Sequence, residues 1–226
     1  MSWGEATLFG VQNAASYNGK VDSGEADPLD DDTDDDGLSD GYENITLRIS
    51  PINSDHDGDG LPDGLEKGET EGCSGTDFSL FIPDKDPDTT TDPSLVDTDN
   101  DGLEDGFEDA DIDGRKDSNE TDPNCNDTDG DGILDGIEDN YTTNRIVDID
   151  EETNRYLETD PLCADTDGDG LLDGEEDKDK DGIFEPELGD PDLNETNPRW
   201  QDTDGDSVSD GLELGGWNIS VYFEAT

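Results

Sequence analysis

A twelve-residue pattern, Asp-x-Asp-x-Asp-Gly-x-x-Asp-Gly-x-Glu, constrains this chain more than any other feature. It begins at Asp32, Asp55, Asp97, Asp127 and Asp165 without departure, and at Asp202 with one departure, Ser207 at the sixth position. Successive starts are 23, 42, 30, 38 and 37 residues apart, so the loops are uniform while the connections are not. A proline stands four residues ahead of each start: Pro28, Pro51, Pro93, Pro123, Pro161 and Pro198. Before each proline lies Asp27, Ser50, Asp92, Asp122, Asp160 or Asn197, always with a short side-chain oxygen. Repetition at this period marks an array of small units, none of which buries enough to fold alone.

Composition narrows the function classes. The 226 residues carry 68 Asp plus Glu against 11 Lys plus Arg, a formal charge of −57, and only 27 % are hydrophobic. Taken without its pattern, such a chain reads as a disordered acidic tail. Acids scattered or in blocks would fit a salt-adapted surface or a nucleic-acid mimic, whereas these are phased. Direct nucleic-acid binding is disfavoured because phosphates would be repelled. No run approaches a membrane span, and Met1 to Gly10 lacks the basic and apolar regions of a secretion signal. His56, the single histidine, occupies a non-ligand loop position and reads as solvated. No nucleophile with a base partner is visible, so no enzymatic activity is expected.

The spacing suits a hard cation. Oxygens at positions 1, 3 and 5 of a tight turn converge, position 7 adds a backbone carbonyl, and Glu at position 12 closes the sphere. Glycine at position 6 permits the turn. Magnesium demands a stricter octahedron and zinc prefers Cys and His, so calcium is expected, with at least six ions. The first loop offers Asp32, Asp34, Asp36, the Leu38 carbonyl and Glu43, with Asp40 binding through water or reaching a second ion. The same roles fall on Asp55, Asp57, Asp59, Leu61, Asp63 and Glu66, and on Asp97, Asp99, Asp101, Leu103, Asp105 and Glu108. They recur on Asp127, Asp129, Asp131, Ile133, Asp135 and Glu138, and on Asp165, Asp167, Asp169, Leu171, Asp173 and Glu176. The last set is Asp202, Asp204, Asp206, Val208, Asp210 and Glu213. Degenerate copies occupy two spacers: Asp109, Asp111, Asp113, Arg115, Asp117 and Glu120, then Asp177, Asp179, Asp181 and Ile183. Asp84, Asp86 and Asp88, and Asp148, Asp150 and Glu152, keep only the alternating carboxylates.

The loop resembles that of an EF-hand but its flanks do not. Proline ahead of each loop is incompatible with an entering helix, and glycine at position 10 weakens an exiting one. One helical turn over positions 9 to 12 is the most expected, and Asn44 to Leu47, with its β-branched residues, reads as non-helical. The apolar set per module is small. Position 7 is apolar throughout; position 11 carries Tyr42, Leu65, Phe107, Ile137, Glu175 and Leu212; Leu29, Ile52, Leu95, Cys125, Leu162 and Trp200 lie between proline and loop. These could form miniature clusters when neighbouring modules stack.

The unit Thr121-Asp122-Pro123 through Asp127-Thr128-Asp129-Gly130-Asp131-Gly132 resembles the thrombospondin type 3 repeat, in the form common in bacterial and archaeal surface proteins. The resemblance covers about residues 26 to 215. It implies a mostly irregular, calcium-organised tandem repeat rod in a secreted or cell-surface protein, with neighbouring modules sharing ligands. On that basis Asp27, Asp92, Asp122 and Asp160 would be ligands to an adjacent ion. The chain departs from the animal form in using Glu at position 12 and in having few cysteines. The organisation expected is an N-terminal segment 1–25, six repeats over 26–215 and a C-terminal strand over 216–226.

Cys125 and Cys163 sit two residues after the module proline in successive modules, which favours a disulfide, against the alternative of two small thiols; Cys73 is left over. Sequons at Asn44, Asn119, Asn126, Asn140, Asn194 and Asn218 suggest N-linked glycans. Trp217, Ile219, Val221 and Phe223 alternate with polar residues as a strand does, and residues 6–11 are a candidate second strand. Unpaired strands seek partners, so the ends are expected to dock on each other or head to tail on another copy. The functional expectation is a calcium-stiffened extracellular stalk, spacer or filament subunit. Its rivals are an adhesion module of a larger surface protein and a calcium buffer or sensor.

Overall fold

The computed structural model describes residues 21–22, 24–139, 159–184 and 195–214. Each module opens with a β-turn, in which proline supplies the φ that the second position needs. The carbonyl before the proline accepts from the amide three residues on: Asp92 O from Leu95 N at 2.8 Å, Asp122 O from Cys125 N at 2.7 Å, Asn197 O from Trp200 N at 2.9 Å. The side chain of that same residue accepts the amide two residues on, as Asp122 Oδ1 does from Asn124 N at 3.1 Å. This Asx turn recurs at Asp27, Asp92, Asp122, Asp160 and Asn197 and accounts for the Asp or Asn before the proline in those five modules.

The loop is then closed by one backbone bond that recurs six times. The position 9 amide donates to the carbonyl just ahead of position 1: Asp40 to Asp31 (2.9 Å), Asp63 to Ser54 (2.9 Å), Asp105 to Val96 (3.0 Å), Asp135 to Asn126 (3.3 Å), Asp173 to Ala164 (3.0 Å) and Asp210 to Gln201 (3.0 Å). Between its ends the chain passes through two left-handed residues rather than the one expected. Position 6 has φ near +100° at Gly37 (101°), Gly102 (106°) and Gly170 (102°), and position 4 is left-handed too, at Asp35 (65°), Asn100 (63°) and Gly130 (82°). Asp, Asn and Gly tolerate that region best. Ser207, at φ 79°, carries the strain that glycine avoids in the other loops.

A helical turn ends each loop: α1 (Asp40–Tyr42), α2 (Asp63–Glu66), α3 (Asp105–Glu108), α4 (Asp135–Glu138), α5 (Asp173–Glu176) and α6 (Asp210–Leu214). Five of the six are as short as expected, starting at position 9 with an aspartate that suits a helix N-terminus. The first module differs: α1 runs into a π-turn over Glu43–Leu47, so Asn44 to Leu47 is helical after all. Arg48 stops it at φ 70°, its amide reaching back to Glu43 O. Among the described residues no strand forms, and no helix is long and apolar enough to cross a membrane. The strands expected over residues 6–11 and from Trp217 lie outside the described residues.

Modules lock together through glycine at position 10. A β-carbon on Gly136 would lie 2.6 Å from Asp101 O of the preceding module, and one on Gly211 would lie 2.6 Å from Asp169 O. Gly64, Gly106 and Gly174 press still closer on Asp36 O, Asp59 O and Asp131 O. At three junctions the glycine amide also donates to the position 5 carboxylate: Gly106 to Asp59 (3.2 Å), Gly174 to Asp131 (2.6 Å) and Gly211 to Asp169 (2.6 Å). The contact joins loop to loop, so five spacers of different length give one junction.

Little of the interior is apolar. Leu38, Leu61, Leu103 and Ile133 at position 7 are buried, with Leu65 and Ile49, and are outnumbered by buried carboxylates. The wider clusters expected from sequence are not formed. Leu29, Ile52, Leu95, Leu162 and Trp200 are exposed, as are Tyr42, Phe107 and Leu212, because the junction surface is taken up by acids and glycine backbone.

Gly136→Ala should therefore destabilise the calcium-loaded chain by about 1–3 kcal/mol, the range for forcing atoms into a packed contact. Gly41→Ala should be neutral, since Gly41 has nothing within 4 Å of its β-carbon position among the described residues. Thermal unfolding of both variants in calcium checks this; equal losses would contradict the locking role.

Candidate metal centres

Each loop holds its carboxylates by backbone bonds, and at position 3 these leave a second oxygen free. In the third loop Asp97 accepts from Asn100 N (2.7 Å) and Gly102 N (3.1 Å), Asp99 Oδ1 from Asp101 N (3.2 Å), and Asp101 Oδ1 from Leu103 N (2.6 Å). The same scheme recurs at Asp55, Asp57 and Asp59, at Asp127, Asp129 and Asp131, at Asp165, Asp167 and Asp169, and at Asp202, Asp204 and Asp206. At position 3 one oxygen is satisfied and the inward one is not, whereas both oxygens of Asp97, Asp165 and Asp202 at position 1 accept amides of their own loop. Buried atoms without a hydrogen-bond partner include Oδ2 of Asp57, Asp99, Asp129 and Asp167, Oδ2 of Asp36 and Asp101, both oxygens of Asp34, and one or both of Glu43, Glu66, Glu108, Glu138 and Glu176. A buried, unpaired carboxylate costs several kcal/mol, so each set of inward oxygens calls for a cation. All donors are oxygen, which matches calcium and not a thiophilic metal.

These oxygens gather in two kinds of cluster. One lies within a loop: Asp32, Asp34 and Asp36; Asp55, Asp57 and Asp59; Asp97, Asp99 and Asp101, with ligand atoms within 4.8 Å of one another. The other spans a junction and is wholly buried: Asp36, Glu43 and Asp63, then Asp59, Glu66 and Asp105, within the same 4.8 Å. The position 9 aspartate thus faces the module before it. Its burial follows: Asp63, Asp105, Asp135 and Asp173 are fully buried, whereas Asp40, with no loop ahead of it, is half-exposed. Position 12 shows the converse, being buried from Glu43 to Glu176 and exposed at Glu213.

Two threonines were missed in the sequence. The position 2 hydroxyl accepts from the amide before the proline and donates to the position 9 carboxylate, as Thr98 does toward Asp92 N (3.1 Å) and Asp105 Oδ2 (2.6 Å). It ties turn, loop and helix together; His56 replaces it in the second module and keeps only its amide bond to Asp63, at 2.7 Å. The second threonine precedes the Asp-Pro or Asn-Pro element and anchors that element to the glutamate of the previous loop. Thr91 donates to Glu66 Oε1 and Thr159 to Glu138 Oε1, both at 2.9 Å, and Thr121 and Thr196 hold the equivalent places beside Glu108 and Glu176. Its signal was a threonine six residues ahead of four of the loop starts.

Other expected positions fall differently. Asp27, Asp92 and Asp160, like Asp122, spend one oxygen on the local turn, and Asp92 and Asp160 are exposed. Cys125 and Cys163 are free: each exposed thiol turns to the carbonyl two residues on, Asp127 O (3.3 Å) or Asp165 O (3.4 Å), and so points along its own loop instead of toward the other cysteine. Cys73 is free as well, 3.4 Å from Leu38 O of the first loop. In the degenerate loop after Glu108, Asp109, Asp113 and Glu120 are buried, Asp111 is exposed, and Arg115 is bonded to Asp117 at 2.7 Å. In that after Glu176, Asp177 is buried and accepts from Lys180 N and Gly182 N (both 2.8 Å), Asp181 accepts from Ile183 N (2.9 Å), and Asp179 is exposed. Asp84 is buried beside Gly114, while Asp148, Asp150 and Glu152 lie outside the described residues, as do Asn140, Asn194 and Asn218. Asn119 and Asn126 are exposed and Asn44 half-exposed.

Burial first, and neighbouring carboxylates second, push Glu43, Glu66 and Glu108 up to about 9 and Glu138 and Glu176 up to about 8 when no metal is bound. Burial likewise lifts Asp36, Asp59 and Asp101 to about 7. An acid whose folded value is raised favours the folded form below its unfolded value, and that stability is lost as pH rises through the folded value. The metal-free arrangement should therefore weaken from about pH 4.5 to about pH 9 as these glutamates ionise. Metal binding should release protons, and affinity should climb over the same interval. Calorimetry at pH 7 in buffers of different ionisation enthalpy reads the release; identical heats in all buffers would count against it. Thr91→Val should weaken metal binding several-fold, about the 1 kcal/mol of one hydrogen bond, and Thr91→Ser should restore it.

Five stretches, residues 32–46, 55–67, 97–111, 127–144 and 165–179, match the family described as the bacterial TSP3 repeat. They are the first five loops with the turns that follow them; the loop containing Ser207 is outside the match. No curated protein and no solved structure matches the chain. Repeats of this family are calcium-binding, and the clusters of buried carboxylates are of the kind that hold such an ion. The chain therefore contains five stretches that match the thrombospondin type 3 repeat in its bacterial form.

Proposed function

We propose that the chain is an extracellular structural protein that calcium stiffens, serving as a stalk, spacer or filament subunit. The observation that carries this reading is the junction cluster, in which Asp36 and Glu43, or Asp59 and Glu66, are completed by the position 9 aspartate of the next module. An ion there joins two modules, so binding and stacking are one event. Without metal, the carboxylates of a loop lie within a Debye length of ~8–10 Å and repel. Each ion removes two charges and cross-links the chain, so affinity is folding free energy. Modules of this kind outside cells work at ~10⁻⁴–10⁻³ M calcium.

A sensor presents an apolar groove between two helices. Apart from the continuous segment over Asp40–Leu47, the helical segments described here are single turns, and carboxylates are buried between them. The reading extends to head-to-tail association, supported by the half-exposed Asp40 and the exposed Asp206 and Glu213, whose counterparts in other loops are buried or half-buried. It also includes N-linked glycans at the exposed sequons.

Small-angle scattering with far-UV circular dichroism, across calcium from chelator to several millimolar and with magnesium as control, tests the reading. The chain should contract from an expanded coil to a fixed particle near millimolar calcium, with little response to magnesium. A scattering curve unchanged by calcium would end it, and growth with protein concentration would separate filament from stalk.

A further inference from the structure

The degenerate loop 109–120 keeps the alternating aspartates yet has a different electrostatic make-up. Three ion pairs converge on it: Lys85 Nζ to Asp113 Oδ2 at 2.5 Å, Arg115 Nη2 to Asp113 Oδ2 at 3.6 Å, and Arg115 Nη2 to Asp117 Oδ1 at 2.6 Å. Among the described residues no ion pair touches a carboxylate of an intact loop. Arg115 occupies position 7, where the intact loops carry Leu, Ile or Val, and its side chain turns back onto the carboxylates of positions 5 and 9. Lys85 arrives from the spacer ahead of the third loop, its amide donating to Asp113 O at 2.9 Å. Thr89 of the same spacer donates to Gly114 O at 2.5 Å, and Lys116 Nζ to Glu120 O at 3.1 Å.

The inward oxygens differ accordingly. Each of the first five intact loops leaves buried carboxylate oxygens without a partner, whereas none of Asp109, Asp111, Asp113, Asp117 and Glu120 does so. Glu120 accepts from Asp117 N at 2.9 Å, within its own loop, instead of pointing unpaired into a junction. The one orphaned oxygen nearby, Asp84 Oδ2, belongs to the spacer.

We propose that this loop is a metal-free brace, in which the Lys85 ammonium and the Arg115 guanidinium take the place that a divalent ion takes in the intact loops. A monovalent cation fixed to the chain neutralises less charge than calcium, but it is present at every calcium concentration. The brace ties residues 84–89 to residues 109–114 and thereby clasps the third intact loop, Asp97 to Glu108, from both sides. That stretch stays closed in chelator and offers the first pre-organised site when calcium returns.

The inference rests on the intact loops taking calcium. Native mass spectrometry of the full chain at saturating calcium counts the ions, with circular dichroism confirming that each variant folds. Asp101→Asn, in an intact loop, should lose at least one ion. Asp113→Asn should keep the wild-type count. Lys85→Gln combined with Arg115→Gln should gain one ion, because a loop relieved of its own cations has the spacing to accept calcium. Loss of an ion from Asp113→Asn, or no gain in the double variant, would overturn the brace. A wild-type chain that takes up no calcium would sink the functional reading itself, an outcome distinct from either.

Discussion

Carboxylates with no protein counter-charge form the interior of this chain, and every other feature answers to that constraint. A soluble domain ordinarily gains stability by burying apolar surface. Here Asp63, Asp105, Asp135 and Asp173 are as inaccessible as Leu61 and Leu103, and the oxygens facing inward have no donors. Such an interior is costly once its carboxylates ionise, and divalent cations offset that cost. Backbone geometry prepares for this by fixing the aspartates with amide bonds while leaving the position 3 oxygens and the position 12 glutamates without protein donors.

The junction converts that local preparation into a continuous array. Glycine at position 10 has two roles there: it lets the helix start press against the carbonyl of the preceding loop, and its amide holds the position 5 carboxylate. The adjoining position 9 aspartate then faces the glutamate of the loop before. One module therefore supplies carboxylates to two clusters, one within its own loop and one shared with its neighbour. This mutual dependence is the acidic counterpart of stacked apolar repeats.

Much of this was legible in sequence because side-chain chemistry at fixed spacing dictates it. The oxygen ladder at positions 1, 3 and 5, the absence of an entering helix at the proline and the single helical turn at positions 9 to 12 follow from local rules, and the described loops show them, with the first loop's longer helix as the exception. The junction was not legible, since variable spacers conceal that Gly136 meets Asp101 and Gly174 meets Asp131. The threonine roles were hidden for the same reason: Thr91 acts on Glu66 across a turn and a spacer. Asn44 to Leu47 misled because residue preference yielded to helix continuation from α1. The apolar residues after each proline were read as core by habit of hydrophobicity, while glycine and carboxylates had already claimed that surface.

Loop-to-loop contact has a consequence for the connecting segments. Each spacer leaves and re-enters the array at points held together by the junction, and in four of the five a threonine beside the previous glutamate fastens its return. The entropy of closing such a segment grows only slowly with length. An insertion at an exposed point of a spacer, away from the residues that brace a loop or anchor its glutamate, would leave the ladder of clusters undisturbed, whether it is a few residues or a whole folded unit. Such points are ports at set stations along the array, where the chain can change what it displays without changing what holds it together.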